Sequence, residues 1–302
     1  MGRVAVVGAN ALLLLAAVGA CAPAPSPALA APADDRPVVL TTFTVLADLA
    51  ANVAGEHARV ESLTRPGVEI HGYEPTPGDV ARAAGADLVL DNGLGLETWF
   101  ERFVAEADAP HVVVSTGIDP IEIDGEVGRV DPHAWMSPAN AQEYVAAIAG
   151  ALAALDPEPA AAYAANAAAF AAEIAAVHEE ALAARADVPE SRRVLVTCEG
   201  AFGYLARDLG LEDHSLWPLN GEAQVTPRRL AAVIDVVRSQ GVPAVFCEST
   251  VSHATMRQVA AETGAVLAGT LHVDSLSGPD GPVPTYLDLL RHDVDTIVAG
   301  LT

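Results

Sequence analysis

Lysine is absent from the 302-residue sequence, and all 16 of its basic residues are arginines. Acidic residues number 40, which gives a formal net charge of −24 at pH 7, and aromatic residues make up only 5%. Nucleic-acid binding needs clustered basic side chains, and adhesion to an anionic membrane surface needs a basic patch. The composition disfavours both, so we expect no nucleic-acid partner. A content of 51% hydrophobic residues excludes a wholly disordered chain.

Long apolar runs are also scarce, and the only one that could enter a bilayer lies at the N-terminus. Arg3 precedes the apolar residues 4–20, which end in small residues directly before Cys21. This pattern predicts a signal peptide over residues 1–20 and resembles a bacterial lipobox with Cys21 as the lipidated residue. An uncleaved anchor, or an ordinary signal followed by a chance cysteine, is the alternative. The proline-rich residues 21–37 are expected to form a disordered tether.

Two further cysteines, Cys198 and Cys247, each directly precede a glutamate at the end of a predicted strand. Exported proteins can form disulfides, so the two cysteines could be bonded if their strands are neighbours. Two buried thiols fit the sequence equally well, and both alternatives stay open at this point.

Apolar strand-like segments alternate with helix-like segments from residue 38 onward, and the alternation restarts after residue 190. Such alternation is typical of parallel sheets covered on both faces. We therefore predict an α/β fold with two lobes, residues 38–155 and 188–302, each a parallel sheet flanked by helices. The predicted strands are Val38–Phe43, Leu88–Asp91, Val112–Ser115, Val194–Cys198 and 244–247, and the predicted helices lie near 46–54, 97–105, 137–155, 202–209, 226–239, 253–263 and 285–299.

An alanine-rich segment without glycine lies between the lobes, and we predict a long rigid linker helix over residues 156–187. Asp156 suits the N-cap of this helix and Pro157 its first position. Two helices broken near Asn166 are the alternative. Apolar side chains recur at helical spacing and form one narrow stripe, which consists of Tyr163, Phe170, Ile174 and Val177.

Four predicted loops carry side chains that can bind a metal ion. In open α/β sheets, ligands collect where loops leave the carboxyl ends of strands. In the first half, His71 lies within GVEIHGYEPT and His133 within DPHAWMSP. In the second half, Glu199 follows a strand within TCEGAFGY, and Asp274 begins a loop within LHVDSLSG.

These segments resemble those of a known family, the metal-binding solute-binding lipoproteins of manganese and zinc ABC importers (the cluster A-I substrate-binding proteins). The resemblance runs from about Val38 to the C-terminus and includes the family's two lobes and rigid linker helix. It rests on several motifs in the same order: GVEIHGYEPTPGDV, ADLVLDNGLGLETW, DPHAWMSP, CEGAFGYLARDLGL, ESTVS from Glu248, and VDSLSGPDGPVPTYLDLLRHDVDTI.

The resemblance implies a ligand set, because His71, His133, Glu199 and Asp274 fall on the family's four metal ligands in order. At the third position, zinc-type members usually have His and manganese-type members Glu. Imidazoles and carboxylates without a thiolate suit harder cations. Residues 111–132 contain one histidine and lack the His-rich loop common in zinc-type members. We expect one divalent ion as cargo, with Mn²⁺ favoured and Zn²⁺ or Fe²⁺ as alternatives, because zinc normally outcompetes manganese at a given site.

Other residues are expected to assist these four, because metal ligands generally need hydrogen-bonded partners. We expect Asn92 and Glu248 to support the ligands and Trp135 to pack beside them. His272 precedes Asp274 by two residues and would face the same side of an extended segment, so it either supports the site or lies exposed.

The expected function is capture of an extracytoplasmic metal ion and its delivery to an ABC permease with its ATPase. The protein would be a monomer, held on the outer face of the cell membrane by a lipid anchor, and would not be an enzyme. A metal-dependent hydrolase is the first alternative, but catalytic zinc sites usually keep a position open for water, and four protein ligands would enclose the ion. A surface adhesin is the second, and no segment of the sequence specifies the interaction face it would need.

Overall fold

The computed structural model describes residues 1–3, 5, 34–100, 102–103, 110–220 and 225–302. The lipidation candidate Cys21 lies outside them, as do the predicted signal peptide and tether apart from residues 1–3, 5 and 34–37. Part of the helix predicted near 97–105 also lies outside them. Residues 36–302 form one compact unit.

The N-terminal half contains a four-stranded parallel sheet. Its strands are Val38–Thr41 (β1), Arg59–Ser62 (β2), Leu88–Asp91 (β3) and His111–Val113 (β4), and the helices Thr44–Ala54 (α1) and Pro77–Ala84 (α2) connect them. The strand order is β2-β1-β3-β4, and every neighbouring pair is parallel. The central strands β1 and β3 are almost entirely buried, as their continuous apolar sequences predict.

The C-terminal half also consists of parallel strands and helices, but its strands form two two-stranded sheets. Its strands are Val194–Glu199 (β5), Glu212–Trp217 (β6), Ala244–Glu248 (β7) and Val266–Leu271 (β8). Two helices precede these strands in the chain, Pro138–Leu155 (α3) and Ala160–Arg185 (α4). The helices of the C-terminal half are Gly203–Leu209 (α5), Pro227–Gln240 (α6), Ala254–Thr263 (α7) and Tyr286–Leu301 (α8). Strands β5 and β6 pair in parallel, as do β7 and β8.

A disulfide bond between Cys198 and Cys247 joins β5 to β7, where the two Cα atoms are 4.8 Å apart. Of the two alternatives that the sequence left open, the structure therefore has the disulfide bond between neighbouring strands and not two buried thiols. Because each cysteine directly precedes a glutamate, the bridge lies one residue from Glu199 and from Glu248.

The long alanine-rich helix α4 is continuous through Asn166, whose side-chain amide donates a hydrogen bond to the carbonyl of Val53 at 3.1 Å. The helix begins at Ala160, so the predicted start at Pro157 is wrong. Residues before a proline avoid the helical region, and Pro159 imposes this restriction on Glu158. Asp156 instead ends the preceding helix α3.

Helix α4 is the one helix in the described part of the chain whose length and composition would allow it to cross a membrane. Its predicted apolar stripe is buried, however, and it packs against α1, α3 and α8. Helix α4 therefore contacts helices of both halves through an apolar face, as expected for a core helix.

Three strands, β2, β6 and β8, have no counterpart among the predicted strands. All three lie at the outer side of their strand pairs and are partly exposed. The largest apolar cluster includes side chains of both halves, among them Phe43, Trp135, Phe202 and Tyr286. This shared core holds the loops at the carboxyl ends of the strands against one another.

Candidate metal centre

Four side chains converge where the two halves meet. One possible ligand atom from each of His71, His133, Glu199 and Asp274 lies within 4.8 Å of all the others. The Nε2 atoms of the two histidines are 3.0 Å apart. Oε1 of Glu199 lies 3.3 Å from Nε2 of His71 and 3.8 Å from that of His133, and Oδ1 of Asp274 lies 3.8 Å from both. No other group of this kind occurs among the described residues.

The four residues reach this point from different elements. His71 lies in the loop between β2 and α2, and His133 follows β4 just before a short 3₁₀ helix, Ala134–Met136. Glu199 is the last residue of β5, and Asp274 follows β8 by three residues. The N-terminal half thus supplies the imidazoles and the C-terminal half the carboxylates. All four lie at or beyond the carboxyl ends of parallel strands, where ligands of open α/β sheets collect.

Burial sets the charge of the site. It raises the pKa of Glu199 well above its usual value and likewise that of Asp274, where the nearby Glu199 carboxylate adds to the effect. Burial lowers the pKa of His133, although the Asp131 carboxylate opposes this. A cation in contact with both carboxylates would favour their deprotonated forms and oppose this effect of burial. Oε2 of Glu199 and Oδ1 of Asp274 are buried without a hydrogen-bond partner, which is costly unless a ligand contacts them.

Asp131 fixes the orientation of the His133 ring. Its Oδ1 accepts hydrogen bonds from the backbone N–H of His133 at 2.9 Å and from Nδ1 at 2.7 Å. With the proton on Nδ1, the lone pair of Nε2 points into the site, as in the carboxylate–histidine pairs of many metal centres. The ring of Trp135 packs on His133 with centroids 5.3 Å apart, and its Nε1 donates to the carbonyl of Val273 at 3.1 Å.

The loop of His71 is held by Glu69, whose carboxylate accepts hydrogen bonds from the backbone N–H groups of His71 at 2.6 Å and Gly72 at 2.9 Å. His71 is the most exposed of the four residues. It borders a groove of about 400 Å³, which Leu94 and Leu219 also line. This groove is a route by which an ion could reach the site.

Asn220 contacts both carboxylates of the cluster. Its backbone N–H donates to Oε1 of Glu199 at 2.5 Å, and its Nδ2 donates to Oδ2 of Asp274 at 2.9 Å. Glu248 holds Glu199 from the other side, because its Oε2 accepts the backbone N–H of Glu199 at 3.2 Å. The position of Glu199 is therefore set by contacts to both its side chain and its main chain.

The other predicted supporting residues lie farther from the four. Asn92 donates to the carbonyl of Pro132 at 3.0 Å and accepts the hydroxyl of Tyr144 at 2.6 Å, so it braces the segment before His133. The ring of His272 lies against His292, with centroids 5.2 Å apart.

Three residues that touch the cluster were not predicted from the sequence: Glu69, Asp131 and Asn220. Asp131 could have been found, because an acid two residues before a histidine is well placed to orient its ring. Asn220 has no local signal, since its partners are 21 and 54 residues away.

A protein-family model, ZnuA, described as the periplasmic component A of a zinc-uptake complex, matches residues 39–300. The chain belongs to this family. Family members are metal-binding solute-binding proteins of ABC importers and are not enzymes. The family resemblance and the α/β fold predicted from the sequence are therefore confirmed, and the hydrolase alternative is wrong.

Relatives of this family are similar over most of the chain. The iron-binding protein YfeA of Yersinia pestis is 47% identical over 265 residues, which cover 87% of this chain and 85% of that protein. The manganese-binding lipoprotein MntA of Halalkalibacterium halodurans is 34% identical over 265 residues, covering 87% and 88%. The Mn-bound periplasmic metal binding protein from Candidatus Liberibacter asiaticus has a TM-score of 0.84 and 38% identity, over 88% of this chain and 100% of that one.

Because the chain belongs to this family, the class of its cargo and the type of transporter it works with are known. The chain is a metal-binding substrate-binding protein of an ABC importer, its cargo is a divalent metal ion, and such proteins work with a permease and an ATPase. The convergence of His71, His133, Glu199 and Asp274 offers a buried site of matching chemistry.

Proposed function

We propose that His71, His133, Glu199 and Asp274 bind one Mn²⁺ ion, which the protein delivers to its ABC permease for import. The observation that carries this proposal is the buried convergence of four donor groups within 4.8 Å. Oδ1 of Asp274, which lies 3.8 Å from Nε2 of each histidine, is buried without a hydrogen-bond partner, and a cation between the four would compensate it.

The donor set supports manganese. Two imidazoles and two carboxylates suit divalent ions that accept mixed nitrogen and oxygen ligands, and no cysteine belongs to the cluster. Zinc prefers a closed tetrahedral set of four donors. Here Oε1 of Glu199 accepts the backbone N–H of Asn220 and lies 3.3 Å from Nε2 of His71, whereas Oε2 is buried without a hydrogen-bond partner. Glu199 therefore keeps a second oxygen that no hydrogen bond occupies, which favours an ion of higher coordination number.

Fe²⁺ is the second candidate for the cargo ion, and the similarity of this chain to an iron-binding protein favours it. YfeA, which is 47% identical to this chain, is named as an iron-binding protein. Fe²⁺ accepts the same nitrogen and oxygen donors as Mn²⁺ and stands next to it in the stability order of divalent ions.

We also propose a location and an organisation for the mature protein. Lipidated Cys21 would hold the chain, as a monomer, on the extracytoplasmic face of the cell membrane, and residues 21–37 would act as a tether. Residues 38–155 and 188–302 would form the two lobes, joined by α4. The name of MntA as a lipoprotein supports this location. Replacing Cys21 by alanine should move the protein from the membrane fraction to the soluble fraction, and an unchanged distribution would contradict the anchor.

Competitive titration with Mn²⁺, Fe²⁺ and Zn²⁺, together with metal analysis of protein purified from its native envelope, tests the binding site and the cargo. We expect one ion per protein. Glu199→Gln and Asp274→Asn should each weaken binding by more than the roughly 10–100-fold that loss of a ligand's hydrogen-bonded partner costs. The matched control is His57→Ala, because His57 contacts Tyr163 and does not belong to the cluster. Unchanged affinity of either carboxylate variant would remove that residue from the ligand set.

A further inference from the structure

Asn220 is the one residue, within the described part of the chain, whose side chain or main chain donates hydrogen bonds to both carboxylates of the cluster. Its backbone N–H reaches Glu199 and its side-chain amide reaches Asp274. The residue is 8% exposed and lies three residues after the end of β6. It is therefore part of the wall of the site and can influence both oxygen donors.

The side-chain amide of Asn220 is held in one orientation. Its Oδ1 accepts the indole N–H of the buried Trp217 at 3.0 Å, so its Nδ2 must point away from that ring. Nδ2 then donates to Oδ2 of Asp274 at 2.9 Å, and the hydroxyl of Thr250 lies 3.4 Å away. A flipped amide would place two donors against each other at Trp217 and two acceptors against each other at Asp274.

Because of this contact, the two oxygens of Asp274 differ in hydrogen bonding. Oδ2 is occupied by the amide, whereas Oδ1 has no partner and lies 3.8 Å from Nε2 of each histidine. Glu199 differs, because its Oε2 is buried without a partner while its Oε1 faces the histidines and accepts only a backbone N–H. Asp274 thus presents one oxygen to the histidines, and Glu199 presents Oε1 together with a second oxygen that no hydrogen bond occupies.

We propose that Asn220 is a specificity-determining residue, whose side-chain amide restricts Asp274 to one donor oxygen and so limits the protein donors to at most five. The inference rests on the proposed function, because it assumes that these four residues bind the ion. The upper limit of five counts two imidazole nitrogens, Oδ1 of Asp274 and both oxygens of Glu199. Such a limit disfavours Ca²⁺, which takes six to eight oxygen ligands, and sets the balance between Zn²⁺ and ions of higher coordination number.

Asn220→Ala tests the proposal, because it removes the amide and keeps the backbone N–H that contacts Glu199. Release of Oδ2 would let Asp274 bind with both oxygens. We expect the ratio of Mn²⁺ to Zn²⁺ affinity, measured by competition, to rise about tenfold, the effect of a charge-assisted hydrogen bond of ordinary strength. Thr250→Val is the matched control, since it removes a neighbour of the same amide without touching a carboxylate, and it should leave the ratio unchanged.

A spectroscopic measurement separates this role from a merely structural one. Co²⁺ absorbs visible light more weakly as its coordination number rises, so Asn220→Ala loaded with Co²⁺ should absorb less per ion than the wild type. Asn220→Leu, which keeps most of the side-chain volume, should behave in the same way and serves if the alanine variant does not fold.

The outcomes distinguish the two proposals. If the wild type binds no divalent ion, the proposed function fails. If the wild type binds but both variants lose affinity equally for Mn²⁺ and Zn²⁺, with unchanged Co²⁺ absorption, the function stands and the role of Asn220 is overturned.

Discussion

Lowering the pH should weaken metal binding chiefly through the carboxyl groups of Glu199 and Asp274. Burial raises the pKa of both groups well above their usual values, so in the metal-free protein they stay protonated to a higher pH than exposed acids. Burial lowers the pKa of His133, so this ring loses its proton at a lower pH than an exposed histidine. A metal ion binds the deprotonated forms, and each bound proton must leave first. Apparent affinity should therefore rise with pH.

The number of protons released sets the size of the effect. Each proton that binding displaces changes the apparent affinity about tenfold per pH unit. Where Glu199 and Asp274 are both protonated, binding releases about two protons and the change reaches about a hundredfold per unit. Glu199→Gln removes one of the two groups, so the dependence should fall to about tenfold per unit, in addition to the weaker binding overall.

Isothermal titration calorimetry in two buffers of different ionisation enthalpy measures this proton release directly. We expect binding to release protons, and we expect Glu199→Gln to release about one fewer per ion than the wild type at a pH where both carboxyl groups are protonated. Glu158→Gln, a change to an exposed acid just before α4, is the control and should match the wild type. Proton release near zero for the wild type would refute the reasoning, because it would mean that the buried carboxyl groups are ionised before the ion arrives.

Three further results are expected. Asp131→Asn should lower metal affinity about 10–100-fold in a competition assay, because the carboxylate orients His133, and equal affinity would show that this hydrogen bond does not matter. Replacing Cys198 and Cys247 together by alanine should lower the free energy of unfolding in denaturant by about 4 kcal/mol, given a bridge that spans 49 residues, and unchanged stability would argue against that bridge. Trp135→Phe should lower the free energy of unfolding by about 1–3 kcal/mol, because the buried carbonyl of Val273 loses its hydrogen-bond donor. Metal affinity should change little, since an aromatic ring still packs on His133, and a large loss of metal affinity would contradict this.

The strands that could be predicted from the sequence differ physically from those that could not. β1, β3, β5 and β7 are continuous apolar runs, because side chains on both of their faces are buried. β2, β6 and β8 are partly exposed and include polar residues; β4 is also partly exposed but could be predicted, because the apolar residues 112–114 lie in or beside it. β6 begins with Glu212, Asp213 and His214, a sequence that resembles a loop. Its strand conformation comes from pairing with β5, which no local pattern contains.

The same distinction applies to the site. His71, His133, Glu199 and Asp274 lie in motifs that the family resemblance picks out, and parallel-sheet geometry predicts that loops at the carboxyl ends of strands come together. Asn220 became visible only in the fold, because its contacts depend on how β6 ends beside β5 and the segment after β8. Contacts of this kind depend on tertiary packing and leave no periodic trace in the sequence.

The division of donors between the two halves has a consequence for release of the ion. The imidazoles belong to the N-terminal half, where Asp131 and Glu69 orient His133 and the loop of His71. The carboxylates belong to the C-terminal half, where Asn220 and Glu248 hold them. These hydrogen bonds lie within one half each, although the one from Trp135 to the carbonyl of Val273 crosses between the halves. A motion that parts the halves would therefore break that bond and split the proposed ligands two and two. An ion left with two donors binds far more weakly than one held by four. The separated carboxyl groups would also become hydrated, and the burial that raises their pKa values would be lost. Opening would thus release the ion and reduce the protonation of Glu199 and Asp274 at the same pH.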